Sequence, residues 1–160
     1  MNATATRPVI TVPEYWDDAC RHLVKSDRVM KRLIPQFGQA RLESRGDAFV
    51  TLARSIVGQQ ISVKAAQTVW DRFTQLSRRL TPSQVLKLKV DDMRAAGLSA
   101  RKVEYLVDLA LHFEQGQVSV KAWTQMSDDD IINELVAIRG IGRWTAEMFL
   151  IFHLMRPNVL

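Results

Sequence analysis

The chain has 160 residues, 47% of them hydrophobic and 24% charged, enough for one compact domain with a core of its own. Its charge of +5 favours polyanionic partners, because neutralised phosphates release counterions, although many proteins that never touch nucleic acid are as basic. The lone Cys20 excludes an intrachain disulfide framework and any four-cysteine metal or iron–sulfur site within these residues, and it fits a reducing cytoplasm, the expected location.

Nothing up to Thr11 has the apolar core of a signal peptide, so residues 1–12 read as a loose arm and 13–160 as one domain. From Pro13 onward the apolar period is helical nearly everywhere. Trp16, Ala19, Cys20, Leu23 and Val24 form a first stripe, and Val29, Met30, Leu33 and Ile34 repeat it before Pro35 and Gly38. Asp47 reads as the N-cap of a helix burying Phe49, Leu52, Ala53, Ile56 and Val57, stopped by Gly58. Ser62 caps the next, with Ala66, Val69, Trp70 and Phe73 in line.

Thr81-Pro82 predicts a short helix through Leu86, and a second short one runs from about Asp91 to Gly97. Ser99 starts a long helix that buries Val103, Leu106, Val107, Ala110 and Leu111 and ends at Gly116. Ser127 and the acids Asp128, Asp129 and Asp130 open a helix carrying Ile131, Ile132, Leu135 and Val136, where the macrodipole favours them. A last helix should run from Arg143 towards Met155, with Trp144, Met148, Ile151 and Met155 on one stripe and Pro157 as its stop. Only weak alternation around Arg41 to Gly46 competes as strand. The expected class is all-α, about eight to ten helices. The apolar run from Met148 to Leu154 is too short to span a membrane, so no membrane partner is expected.

The informative segment is Leu135-Val136-Ala137-Ile138-Arg139-Gly140-Ile141-Gly142-Arg143-Trp144-Thr145-Ala146. A helix ends, two glycines flank one aliphatic residue, and another helix begins at once. Glycine permits the positive φ of a tight reversal and a close backbone approach. Ile141 can turn inward and pin the turn. The first amides of the following helix lack intrahelical partners and form a phosphate site that ignores base sequence. A helix-to-helix connection with a glycine C-cap is the plainer reading of a bare two-glycine turn.

The longer string resembles the helix-hairpin-helix motif of the DNA glycosylase superfamily that includes endonuclease III, the adenine–mismatch glycosylase, the 8-oxoguanine glycosylase and 3-methyladenine glycosylase II. Two further blocks resemble the alkylation-repair branch: Ser55-Ile56-Val57-Gly58-Gln59-Gln60-Ile61-Ser62, and the run from Ala95 to Leu106. The resemblance implies a helical bundle lacking the C-terminal helices of the family fold. It also implies a monomer acting on double-stranded DNA with alkylated bases. Backbone binding falls to Gly140, Ile141, Gly142, Arg143 and Thr145, and a bulky residue at Gly140 should weaken it without unfolding the domain. No cofactor is implied beyond a structural Na+ or K+ held by the carbonyls of Ile138 and Ile141.

Two places after the second glycine, the bifunctional members of that superfamily carry a lysine that attacks the sugar C1′. Trp144 stands there, so β-lyase chemistry is not expected. The resemblance gives Trp144, Gln59 and Met148 the base pocket, where an indole attracts a cationic methylated purine, and gives Gln60 the wedge that fills the gap left by a flipped nucleotide. The competing readings are a core tryptophan at Trp144 and an ordinary capping loop at Gln59-Gln60. The family's catalytic aspartate follows a proline beyond the last long helix. Arg156-Pro157-Asn158-Val159-Leu160 resembles the approach to it, so these residues are expected to bind DNA without cleaving glycosidic bonds. Glu147 does not substitute, and His22, His112 and His153 are scattered. The expected function is monofunctional base-excision glycosylase, with a non-enzymatic DNA-binding module as the alternative and a helical protein-interaction domain as a third.

Overall fold

The computed structural model describes residues 12–159 except Gln39 and Arg45, so nearly all of the expected N-terminal arm lies outside it. Among the described residues there are nine α-helices and no strand. They are α1 (Trp16–Ser26), α2 (Met30–Leu33), α3 (Ala48–Gly58), α4 (Val63–Thr74), α5 (Pro82–Val85), α6 (Val90–Ala95), α7 (Ala100–Glu114), α8 (Asp128–Val136) and α9 (Arg143–Phe152). Single 3-10 turns cover Ile34–Phe37 and Trp123–Gln125. The weak strand positions from Arg41 to Ser44 are irregular.

The hydroxyl and carboxylate caps fall where local chemistry puts them. Asp47, Ser62, Thr81, Ser99 and Ser127 each accept an N–H from the helix they start. Each such cap stabilises its helix by about 1 kcal/mol. α3 is the central element: Phe49, Leu52, Ala53, Ile56 and Val57 are all buried, and it packs on α4, α7 and α9. α7 buries Val103, Leu106, Leu109 and Ala110, while Leu111, expected inside, is 37% exposed. Trp123 fills the space beside α8 and α9; its indole N–H donates to Glu134 at 2.8 Å and its ring meets Phe149 edge-on.

Two expectations need correction. α9 ends at Phe152 rather than near Met155, because the chain turns back: the N–H groups of Leu154 and Arg156 donate to the carbonyls of Phe149 and Leu150, and Met155 takes φ +57°. Met155 therefore leaves the stripe, and Pro157 stops nothing. The first two stripes are real but cover little, since α1, α2 and the turn after them contain no buried residue.

Candidate nucleic-acid interface

Ala137 to Gly142 join α8 to α9. Ile138 and Ile141 are 1% and 4% exposed, so both side chains anchor the turn in the core. The Ile141 N–H donates to the Ile138 carbonyl at 3.1 Å and closes the turn. Gly140 adopts φ +87°, and a Cβ there would lie 2.2 Å from the Tyr105 ring. Either fact alone calls for glycine. The expectation that a bulky residue at Gly140 leaves the domain folded is therefore wrong, and Gly142 is the better position to probe. Gly142 has φ −90° and open space where a Cβ would stand.

Gly142 matters for what it does not supply. It is the N-cap of α9, with no side chain to accept a helix N–H. The N–H groups of Gly142, Arg143, Trp144 and Thr145 find no intramolecular acceptor among the described residues. Together with the positive end of the helix dipole, they suit a phosphate oxygen. Arg143 is exposed and held over this end by Glu147 at 2.8 Å and Asp129 at 3.6 Å. Such surface pairs are worth about 0–1 kcal/mol, so the guanidinium can exchange them for a phosphate.

The loop after α3 lies against the same turn. Gln59 Nε2 donates to the Gly140 carbonyl at 2.8 Å. Gln60 is exposed with φ +57°, a conformation that costs a non-glycine residue about 1 kcal/mol or more. Val63, just beyond it, is 89% exposed. Neither Gln59 nor Gln60 caps α4; Ser62 does that.

A cleft of about 770 Å³ runs between α3, α9 and the segment 41–44. Thr51, Arg54 and Ser55 form one wall, Thr145, Met148 and Phe152 the other. The two helices run antiparallel, since Gln59 meets Gly140 at one end and Thr51 Oγ1 lies 3.3 Å from His153 Nδ1 at the other. Of the residues expected in a base pocket, Met148 lines this cleft and Trp144 and Gln59 do not. Trp144 stands about 100° round the helix from Thr145 and is 70% exposed, which excludes a core tryptophan.

At the far end of the cleft His153 stacks on Phe149 at 4.4 Å. The Thr51 hydroxyl donates to the Asp47 carbonyl, so its oxygen is an acceptor for a proton on His153 Nδ1. Burial pulls the His153 pKa below its usual value of 6.5, and the charge of Asp47 partly offsets this. The unfolded chain therefore takes up this proton first as pH falls. The stability held above about pH 6.5 is lost progressively below it, down through the folded pKa. Thermal midpoints from pH 8 to 5 should fall in wild type and fall less in His153→Gln; equal slopes would remove His153 as the cause.

The sequence reading gave no site role to three neighbours on α7, Lys102, Tyr105 and Asp108, although the first two lie in the family-like run from Ala95 to Leu106. Their spacing of three was visible, but the elements they touch lie 31 to 45 residues away.

An all-helical domain that places an uncapped helix N-terminus, a two-glycine turn and a strained polar loop side by side has the form of a backbone-gripping hairpin protein. Residues 53–148 match the HhH-GPD superfamily base excision DNA repair protein model, and the chain belongs to that superfamily. It is 34% identical over 146 residues to DNA-3-methyladenine glycosylase 1 of Schizosaccharomyces pombe, covering 87% of this chain and 64% of the relative. It is 30% identical over 163 residues to DNA-3-methyladenine glycosylase of Saccharomyces cerevisiae, covering 91% and 55%. The chain thus spans less than two thirds of the length of both relatives. Its fold superposes on the S. pombe 3-methyladenine DNA glycosylase in complex with abasic DNA with a TM-score of 0.78 at 34% identity, over 89% of this chain and 73% of that one.

Proposed function

We propose that this chain is the DNA-recognising part of a monofunctional glycosylase that excises alkylated bases of the 3-methyladenine and 7-methylguanine type. The observation that carries the reading is the start of α9: four free amides for a phosphate, with an exposed indole, Trp144, between them. An exposed indole face is open to a cation, and a methylated, cationic purine is attracted to it by the ring quadrupole. The names of the relatives support the substrate class. The abasic-DNA complex of the structural relative supports DNA as the ligand.

In this reading the hairpin amides hold the backbone, Gln60 enters the stack where a nucleotide has left it, and the base is held near Trp144 and Met148. Gln59 acts by tying the wedge loop to the hairpin. Base hydrolysis needs an anion fixed beside the sugar C1′ in a closed site. Among the described residues the cleft wall contains one carboxylate, Glu43, exposed on an irregular segment. The 160 residues alone are therefore expected to bind DNA and to release no methylated base. A monovalent cation at the turn fits the carbonyls: that of Ile138 accepts one hydrogen bond and that of Ile141 none from the backbone among the described residues. It would supply rigidity to the turn and no chemistry.

The test has two arms. Purified protein is incubated with alkylated DNA, and 3-methyladenine and 7-methylguanine are measured in the soluble fraction. Turnover by the 160 residues would point to Glu43, and its loss in Glu43→Gln would make that residue the anion. Borohydride trapping on abasic DNA should give no covalent adduct, since no lysine occupies the place of Trp144. An adduct would mean lyase chemistry and the wrong branch. The rival reading, a module that binds DNA without any role in base removal, predicts that Trp144→Ala leaves the preference for alkylated over intact duplex unchanged.

A further inference from the structure

Lys102, Tyr105 and Asp108 follow one another at three-residue spacing on α7, on one broad face over about 9 Å of helix. None belongs to the buried set of that helix, and each touches a residue of the α3 end or of the turn that lies beside the groups that meet DNA in the reading above. The Lys102 ammonium donates to the Val57 carbonyl at 2.7 Å. That carbonyl lies in the last turn of α3, where helix carbonyls lack partners, two residues before Gln59. Burial lowers the Lys102 pKa. The Tyr105 ring lies flush against Gly140, leaving no room for a Cβ. Asp108 accepts the Arg139 N–H at 2.8 Å, and its other oxygen lies 3.4 Å from the Arg139 guanidinium. Gln59 closes the circuit by its bond to Gly140.

We propose that Lys102, Tyr105 and Asp108 are positioning residues, and that this face of α7 sets the spacing between the loop that enters the duplex and the turn that grips its backbone. The inference rests on the DNA-binding reading given above. The wedge and the hairpin have no rigid covalent link: Gly140 stands 80 positions after Gln60. A site whose parts must hold register to a fraction of an ångström needs such a support, and a single helix provides it better than two loops can. The division of labour is specific. Lys102 holds only the loop end, Asp108 only the turn end.

The test compares two duplexes of the same sequence, one intact and one with a tetrahydrofuran abasic-site analogue, by equilibrium binding to the whole chain. Wild type should prefer the analogue, because a gap already open spares the unstacking cost. Lys102→Met keeps the aliphatic stem and removes the donor; it should reduce that preference by about tenfold, the scale of one charge-assisted hydrogen bond. Lys102→Arg, which keeps a donor, should restore most of it. Asp108→Ala should weaken both duplexes alike and preserve the preference, with Asp108→Asn restoring affinity. Unchanged preference in Lys102→Met, or equal weakening of both duplexes by it, would overturn the inference while leaving the DNA reading intact. A wild type that binds neither duplex would overturn the DNA reading itself, and the inference with it.

Discussion

Gly142→Asp is expected to abolish most duplex binding while leaving the fold as stable as before or slightly more so. The backbone at Gly142, φ −90° and ψ 170°, is the extended geometry of an N-cap, and a side chain there meets open space. An aspartate would do for α9 what Asp47 does for α3: accept an N–H of the first turn and complement the helix dipole. Relative to glycine this is worth only a few tenths of a kcal/mol. The same carboxylate occupies the amides a phosphate would use and repels what remains of the anion. Losing one or two hydrogen bonds to a charged group, at about 1.5–3 kcal/mol each, corresponds to roughly a 10- to 100-fold weaker complex or more. Gly142→Asn separates the causes, since it caps without charge and should fall between the two. Intact and alkylated duplexes should lose affinity together, because a backbone grip carries no base information. Full affinity in Gly142→Asp, measured with an unchanged thermal midpoint, would show that phosphate does not bind at this helix end.

How much of this was legible without coordinates depends on the range of the interaction. The caps at Asp47, Ser62, Thr81, Ser99 and Ser127 are local chemistry, written within three residues, and each sits where it was read. The buried face of α3 followed from its period for the same reason. The end of α9 did not, because it is set by carbonyls of Phe149 and Leu150 accepting N–H groups from a chain that doubles back, and no breaker residue marks the place. Periodicity also says which face of a helix is apolar but not what covers it. Val29, Leu33 and Phe37 are spaced like core residues and are 52%, 38% and 68% exposed.

The same limit shaped the site. The free amides of α9 were readable from glycine followed directly by a helix. The open position of Trp144 was not, since an indole at a helix start is compatible with either side of the chain. Gln59 illustrates the case best. The family resemblance put it in the base pocket, which it does not line, and its bond to the Gly140 carbonyl crosses 81 residues and belongs to tertiary structure alone. Polar side chains that hold two distant loops in register leave no local signature, and Lys102 and Asp108 share this property.

Gly140→Ala should destabilise the protein far more than a single methyl group on an exposed turn would suggest, and Gly140→Val should leave it largely unfolded at physiological temperature. Two costs act together. A φ of +87° lies where an L-residue is strained by about 1–2 kcal/mol, more for a β-branched side chain. The new Cβ would also overlap the Tyr105 ring, with ring carbons at 2.2, 2.5 and 2.8 Å. Aromatic carbons do not yield like the end of a flexible chain, and overpacking of this kind costs about 1–3 kcal/mol. The sum, roughly 2–5 kcal/mol, is a large share of a typical total of about 5–15 kcal/mol. For a domain of this size the thermal midpoint of Gly140→Ala should drop by roughly 5–20 °C. Tyr105→Ala in the same chain separates the terms, because it removes the ring and leaves the backbone strain. The double variant should recover stability relative to the sum of the singles, with a coupling above about 1 kcal/mol. Simple additivity would mean that Tyr105 moves aside freely and that the hairpin is not braced by α7. A Gly140→Ala protein with wild-type stability would remove both arguments at once.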